Sequence, residues 1–587
     1  MSSRAAIFAR ESAALVIGSC LTLAVTGYQF GRSNHLVYLP DPLHRFDPSL
    51  LANDWFTTQT LQYHSAFGLL THLLLELDLL QPGFLVGYLA TVLALHGAWR
   101  LLVAQIGGSR ESYLLSVILV QLCAGGVSLG AYHFLQDSSF LPSNVAAVLM
   151  LWSICALAAR RWVLAGLFLG AAGLLHLNYA VAACIIWVCL SAWQRPFARA
   201  GEARSWLVGS LAAAILTALN VLPAVSRLTS PPGMPFSDFV EIYARLRHPH
   251  HYDPLSWHPS LWLCFLIPVT AAAVISFKRR KDFLRPAPKI VFRLAAILLG
   301  LLAVALAFAG ITFVSERLVQ LSLFRFSIFV SLLACVVICW WAWDYTPRQW
   351  PIKLALASLV PLMVIVPRLV AAFLPGSVAA NFVADHWPTL NYIVVVAALL
   401  VLVVMLGTRL PPLGHASLAM FLILSVIAGW ERWVGASFVP DDSPAYRQTV
   451  AWVRHNTDPN AIFLVPPAEQ SMRVDGLRAV VVNFKAVPQL SAELAEWRHR
   501  MEAVVGVDLK SLQRPMPATL RHLDTLYNSR STTDLISTAR RYNARYVITA
   551  TRKPGLGQPI NPASQQFFVY DLATDGPSNS MQPDSKP

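Results

Sequence analysis

Apolar stretches of roughly 17–25 residues recur along most of the 587-residue chain, each about the length at which a helix crosses the hydrocarbon of a bilayer. They lie near 12–30, 83–104, 113–131, 142–159, 162–177, 179–194, 206–223, 260–277, 291–313, 318–341, 353–374, 391–408 and 414–432. A chain built this way has little freedom, because in lipid no water pairs the backbone and each stretch must close its own hydrogen bonds as a helix. Composition agrees: 56% of residues are hydrophobic, 13% are charged, and the mean hydropathy is +0.53, too apolar for a soluble globular protein. The sequence predicts a mainly α, polytopic membrane helix bundle of about 13 spans over residues 1–435.

The net charge of +14 is explained by where the basic residues fall. With the N-terminus on the cytoplasmic side, one set of alternate connections holds Arg100 and Arg110; Arg160 and Arg161; Arg195, Arg199 and Arg204; the run Lys278, Arg279, Arg280, Lys281, Arg285 and Lys289; Arg348 and Lys353; and Arg409. Basic loops on one face follow the positive-inside rule, so a nucleic-acid partner is not needed to account for them. The first stretch follows a basic start and is too long for a signal-peptide core, and it reads as an uncleaved span. Residues 31–82, 132–141, 224–259, 314–317, 375–390 and everything after 433 then face outward. The eight cysteines lie in or beside apolar stretches, with neither a disulfide framework nor zinc spacing.

Two segments break the apolar pattern. "SAFGLLTHLLLELDLL" would bury His72, Glu76 and Asp78 if it spanned the membrane, at on the order of 2.5–3.5 kcal/mol for each centrally placed acid. A helix lying in the interface costs less. After Trp433 the composition becomes that of a soluble domain: "SPAYRQTVAWVRHNT" starts with Ser443 as N-cap and Pro444 in the first turn, and "LSAELAEWRHRMEAV" and "DLISTARRYN" are further helices. "AIFLVPP", "AVVVNF", "ARYVITA" and "QQFFVYDL" read as strands. A small extracytoplasmic α/β domain over 440–572 is expected, with a disordered tail at 573–587.

The polar chemistry gathers at the outward loops. In "LPDPLHRFDPSLLANDWF", Asp41 and Asp47 each precede proline, the pattern of a helix N-terminus. Asp54 has no such reason to be there; if "PSLLAND" is helical, it shares a face with Asp47. A partly desolvated carboxylate at a membrane surface is a good general base for a hydroxyl. "RLRHPHHYDPLSW" carries Arg245, Arg247, His248, His250, His251 and Asp253, donors suited to a phosphate. His250, His251 and Asp253 also suit a divalent metal, given a ligand from elsewhere. In "SERLVQLSLFRFSIF", Glu316 and Arg317 stand at the outer mouth of a span and Arg325 lies deeper, where a cation needs a partner or a polar cavity. His176 and Asn178 end another span; a packing role for that histidine is the simpler reading. No Walker A loop, Gly-rich dinucleotide fingerprint, HExxH or GxSxG occurs.

In layout the chain resembles the GT-C superfamily of integral-membrane glycosyltransferases, carried locally by "LPDPLHRFDPSLLANDWF", "RRWVLAGLFLGAAGLLHLNYA", "RHPHHYDP" and "ERLVQLSLFRF". It is also similar to bacterial membrane proteins that join such a core to a domain like "WVRHNTDPNAIFLVPP". The resemblance implies an inner-membrane enzyme that moves a sugar from a polyprenyl-phosphate donor to a glycan, lipid or protein acceptor by inverting displacement. Asp54 would be the base, with Asp47 second; Arg325, Arg317, Arg245, Arg247, His248, His250, His251 or His176 would meet the departing phosphate. The chain lacks the adjacent Asp-Glu pair and the D-x-D of some GT-C first loops, which leaves open both the base and the use of Mg or Mn. Two rivals stand beside this. A transporter or flippase of a lipid-linked or anionic solute would need related halves and polar groups near the midplane, and no half-to-half similarity is visible. A non-catalytic envelope scaffold would tolerate loss of Asp54.

Overall fold

The computed structural model describes residues 3–345 and 443–573, apart from positions 33, 63, 125–128, 131–136, 199, 226–232, 258, 346–442, 513, 515 and 563–565. The chain divides into two compact units. One comprises Met1–Gln29, Gln81–Pro223 and Pro249–Val439; the other comprises Phe30–Leu80, Ala224–His248 and Pro440–Pro587.

The first unit is helical. Ten of the expected spans are helices: Ser3–Thr26, Leu80–Gln105, Arg110–Ala124, Pro142–Ala158, Trp162–Leu175, Leu177–Gln194, Ala200–Val221, Pro259–Lys278, Pro286–Leu306, and a broken segment from Glu316 to Trp340. Five of the described helices are long and apolar enough to cross a membrane. The expected spans at 353–374, 391–408 and 414–432 lie outside the described residues. The first helix ends at Thr26, short of the expected residue 30, because Gly27 turns out of it at φ +66°. The stretch expected as one span over 318–341 is interrupted. Helix Glu316–Gln320 stops, Ser322 adopts φ +51°, a 3-10 turn covers Leu323–Phe326, and the helix resumes as Ser327–Trp340. The Tyr252 hydroxyl, 2.6 Å from Ser322 Oγ, holds the interruption in place.

Lipid offers no hydrophobic drive between helices, so close approach and internal hydrogen bonds hold the bundle. Helices 162–175 and 200–221 show the first: a Cβ added at Gly166 would collide with the Gly209 carbonyl, and one at Gly209 with the Trp162 carbonyl. His96 shows the second, its Nε2 2.8 Å from Thr22 Oγ1 and its Nδ1 2.8 Å from the Tyr113 hydroxyl. Glu11 accepts from Arg100 at 2.9 Å near the basic end of these helices.

The second unit is α/β. Strands β1 (Ile462–Leu464), β2 (Ala479–Val480), β3 (Ala544–Thr549) and β4 (Phe568–Asp571) form one sheet in the order β2-β1-β3-β4, with β1 parallel to β2 and β3 and β4 antiparallel to β3. Ser443 caps helix Pro444–Asn456 by accepting from Tyr446 N–H, as its sequence predicts, and Tyr446, Val450 and Val453 pack on Phe463, Ile548 and Val569. Helices Ser491–Val505 and Thr532–Arg541 match expectation; Met516–Ser529 is an additional one.

This unit extends beyond residues 440–572. From the first loop it includes helices Pro40–Phe46, Trp55–Gln59 and Ser65–Glu76, and from the second the continuous pair Phe236–Phe239 and π-helical Val240–Arg247. Helix Ser65–Glu76 covers the stretch read as interfacial. Its twelve residues rise about 18 Å, short of the roughly 30 Å hydrocarbon. Leu69, Leu70 and Leu73 are exposed on it, as a helix lying in the interface requires. Long-range bonds tie the segments together: Asn53 Nδ2 to Asn460 O at 2.8 Å, Leu61 N–H to Glu493 Oε1 at 2.9 Å, and Arg32 to Asp475 at 2.8 Å.

Candidate active site

In the helical unit, the polar residues singled out at membrane depth do meet. Helix Leu177–Gln194 begins at His176, whose extended backbone makes it the N-cap. Helix Ser327–Trp340 begins beside Arg325. Arg325 Nη1 lies 2.7 Å from His176 Nε2, and its guanidinium sits 5.7 Å from the Tyr179 ring. Arginine only donates, so Nε2 accepts in that pair. A neutral imidazole has a single acceptor nitrogen, so Asn178 N–H, 3.3 Å from Nδ1, is not also hydrogen-bonded to the ring in that tautomer. Asn178 Nδ2 donates to Gln320 O at 3.1 Å, across the interruption described above. The start of helix Leu177–Gln194 and a guanidinium thus meet, and each favours a negative charge there.

The neighbouring loop is used differently. His251 Nδ1 lies 2.6 Å from Gly130 O, and the rings of His250 and His251 are 4.0 Å apart. Among the described residues no group of three or more His, Cys, Asp or Glu side chains is placed to hold a metal ion, so His250, His251 and Asp253 do not form one here. Arg317 is exposed on its short helix.

In the α/β unit the three first-loop acids have three different environments. Residues 48–53 form turns, not a helix, so Asp47 and Asp54 do not share a helical face as the spacing suggested. Asp41 lies in the first turn of Pro40–Phe46, where Leu39 is the N-cap, and accepts from Arg45 Nε at 3.0 Å. Burial raises its pKa against the pull of Arg45. Asp47 ends that helix instead of beginning one; its Oδ1 accepts from the Ser49 hydroxyl at 2.6 Å and the Ser49 amide at 2.9 Å, and these bonds lower its pKa. Its Oδ2 has no partner among the described residues.

Asp54 is wholly buried, at 0% exposure. Its Oδ1 accepts from Thr57 N–H at 2.9 Å, capping helix Trp55–Gln59, from Thr57 Oγ1 at 2.8 Å and from Arg473 Nε at 3.0 Å. Its Oδ2 accepts from Arg473 Nε at 2.8 Å and from Val480 N–H at 3.0 Å. Arg473, 1% exposed, also donates to Asn483 Oδ1 at 3.0 Å and lies over the Phe56 ring. A carboxylate with every lone-pair direction occupied is built to hold segments together. Sequence reasoning missed Arg473, since nothing in "SMRVDG" points to a partner 419 positions away.

The second-loop cations are also structural partners. Arg247 is buried and donates to Phe484 O at 2.6 Å and Lys485 O at 2.9 Å, and burial pushes its pKa down to about 10 against the opposing pull of Tyr243. Arg245 pairs with Glu241 at 2.6 Å. His248 caps the π-helical turn, its Nδ1 3.1 Å from Tyr243 O.

Comparisons with known proteins cover the chain unevenly. A family profile described as "Domain of unknown function (DUF6798)" matches residues 444–504, the part that begins at the Ser443 cap and includes Arg473. No curated protein matches. Among solved structures, the chain is similar to ArnT from Cupriavidus metallidurans bound to undecaprenyl phosphate, with 14% identity and a TM-score of 0.49 over 84% of this chain and 88% of that one. It is also similar to the Archaeoglobus fulgidus oligosaccharyltransferase, solved in complex with Zn and sulfate, with 12% identity and a TM-score of 0.39 over 92% of this chain and 68% of that one. At these scores the likenesses assign no role to any residue.

Proposed function

We propose that the protein is a multi-pass membrane glycosyltransferase that moves a sugar from a polyprenyl-phosphate donor to a hydroxyl acceptor on the outer side of a bacterial inner membrane. The observation that carries this reading is the meeting of Arg325 with His176 at the start of apolar helix Leu177–Gln194. A phosphate attached to a lipid is the anion that reaches such a position from the bilayer, and a cation there would stabilise the charge that develops as the phosphate leaves. In the reaction, an acceptor oxygen attacks the anomeric carbon while its proton passes to a carboxylate. The bond from that carbon to the phosphate oxygen breaks, and its electron pair leaves with the polyprenyl phosphate. No nucleotide is required, because the sugar–phosphate bond already carries the activation. The basic connections support an N-terminus on the cytoplasmic side and an α/β unit outside.

Asp47 is the carboxylate we assign as base, in place of Asp54, because its Oδ2 is open while Asp54 is fully engaged. The test is transfer from a polyprenyl-phosphate sugar in proteoliposomes. Asp47→Asn should abolish transfer with unchanged abundance, and Asp41→Asn should keep it within a few-fold. Full activity in Asp47→Asn would remove the assignment.

A further inference from the structure

A second site lies in the α/β unit, apart from every residue used above. We infer that it binds a hydroxyl-rich ligand bearing an oxyanion, the chemistry of an acidic sugar. A cavity of about 490 Å³ is lined by Glu502, Asp508, Arg530, Ser537, Thr538 and Arg541, within the roughly 300–1,000 Å³ of small-molecule sites. Helix Ser491–Val505 closes with Gly506 at φ +80°, and a Cβ at that position would collide with Arg530 Nη1. Only glycine both takes that backbone turn and leaves room for the guanidinium.

The charges around the cavity are unequally matched. Glu502 accepts from Arg498 at 2.7 Å and from Leu509 N–H at 3.2 Å; Asp508 accepts from Lys510 N–H at 2.9 Å and from Arg498 at 3.3 Å. Arg498 therefore serves both acids. Arg530 reaches only Asp534, at 3.9 Å, and its buried Nε has no hydrogen-bond partner among the described residues. Arg541 contacts His499 and the Tyr542 ring, and among the described residues it forms no ion pair. Arg530 and Arg541 both line the cavity, and an oxyanion there would accept from the guanidinium groups they turn to it. The two carboxylates only accept, which suits the hydroxyls of the same ligand. This binding does not depend on the transfer reaction proposed above.

The experiment is ligand-observed NMR or calorimetry on the full chain in detergent, with glucuronate, glucose and inorganic phosphate as probes. Glucuronate should bind about tenfold or more better than glucose, and Arg530→Gln and Arg541→Gln should each weaken it by about tenfold, the loss of one charge-assisted contact. Ser537→Phe, at an exposed position on the cavity wall, should also block binding without touching either arginine, which covers the case of a poorly folded arginine variant. Equal binding of glucose and glucuronate would overturn the inference, as would wild-type affinity in the arginine variants. Phosphate binding as tightly as glucuronate, with the same arginine dependence, would overturn the assignment to a sugar.

Discussion

Two groups of arginines are held in different ways. In the helical unit Arg325 faces the His176 imidazole and the Tyr179 ring. In the α/β unit Arg473, Arg247 and Arg478 are buried staples. Arg473 holds Asp54 and Asn483; Arg247 holds the carbonyls of Phe484 and Lys485; Arg478 holds those of Arg454 and Thr457 at 2.9 and 2.7 Å. In the second group each buried guanidinium is satisfied by acceptors within the protein.

The comparison can be broken most forcefully at the staple. Asp54→Asn and Arg473→Met should each cost about 3–5 kcal/mol, because each strands a buried partner, and the double change to Leu and Met should cost less than either single one. Thermal melting of the full chain measures this. Should Asp54→Asn melt like the wild type yet lose transfer, Asp54 would be chemical after all. Next comes Arg325→Ala, which should lower turnover by about 10²–10³-fold, the scale of one lost transition-state donor, while melting is unchanged. A matching fall in stability would make Arg325 another staple.

A smaller effect is expected at the close helix contact. Gly166→Leu should destabilise the bundle by about 1–3 kcal/mol through overpacking, whereas Gly201→Leu, with nothing near its Cβ position, should be tolerated. Yield of folded protein in detergent distinguishes the two. Smallest is Asp524, whose carboxyl is pushed by burial up to about 6 and whose buried Oδ1 has no partner among the described residues. A carboxyl with its pKa raised on folding contributes stability below the unfolded pKa and loses it as pH rises through the folded one. Stability should therefore fall between pH 4 and pH 7, by on the order of 1 kcal/mol once partial exposure is allowed for, and Asp524→Asn should flatten that slope.

Much of this architecture is written locally. The spans follow from length and apolarity, Ser443 from its capping pattern, and helix Ser65–Glu76 from acids that would not enter a bilayer. Helix Met516–Ser529 is less legible because prolines at 515 and 517 crowd its start, although Leu523 and Tyr527 stand four apart and are both buried. The first-loop acids mark the limit. Their type and spacing suggested one shared face, but a turn separates Asp47 from Asp54, and the partner that decides the role of Asp54 comes from a distant part of the chain. The meeting of His176 with Arg325 was likewise invisible in the sequence, although each residue drew attention alone through its depth in an apolar stretch.

The separation of Asp54 from Arg473 has a consequence for biosynthesis. At about 5–20 residues per second, the ribosome needs roughly 20–80 s to make the 419 positions between them. For most of that interval the earlier segment is outside the exit tunnel without its guanidinium, and a nascent chain cut short anywhere before Arg473 leaves the Asp54 carboxylate without its partner.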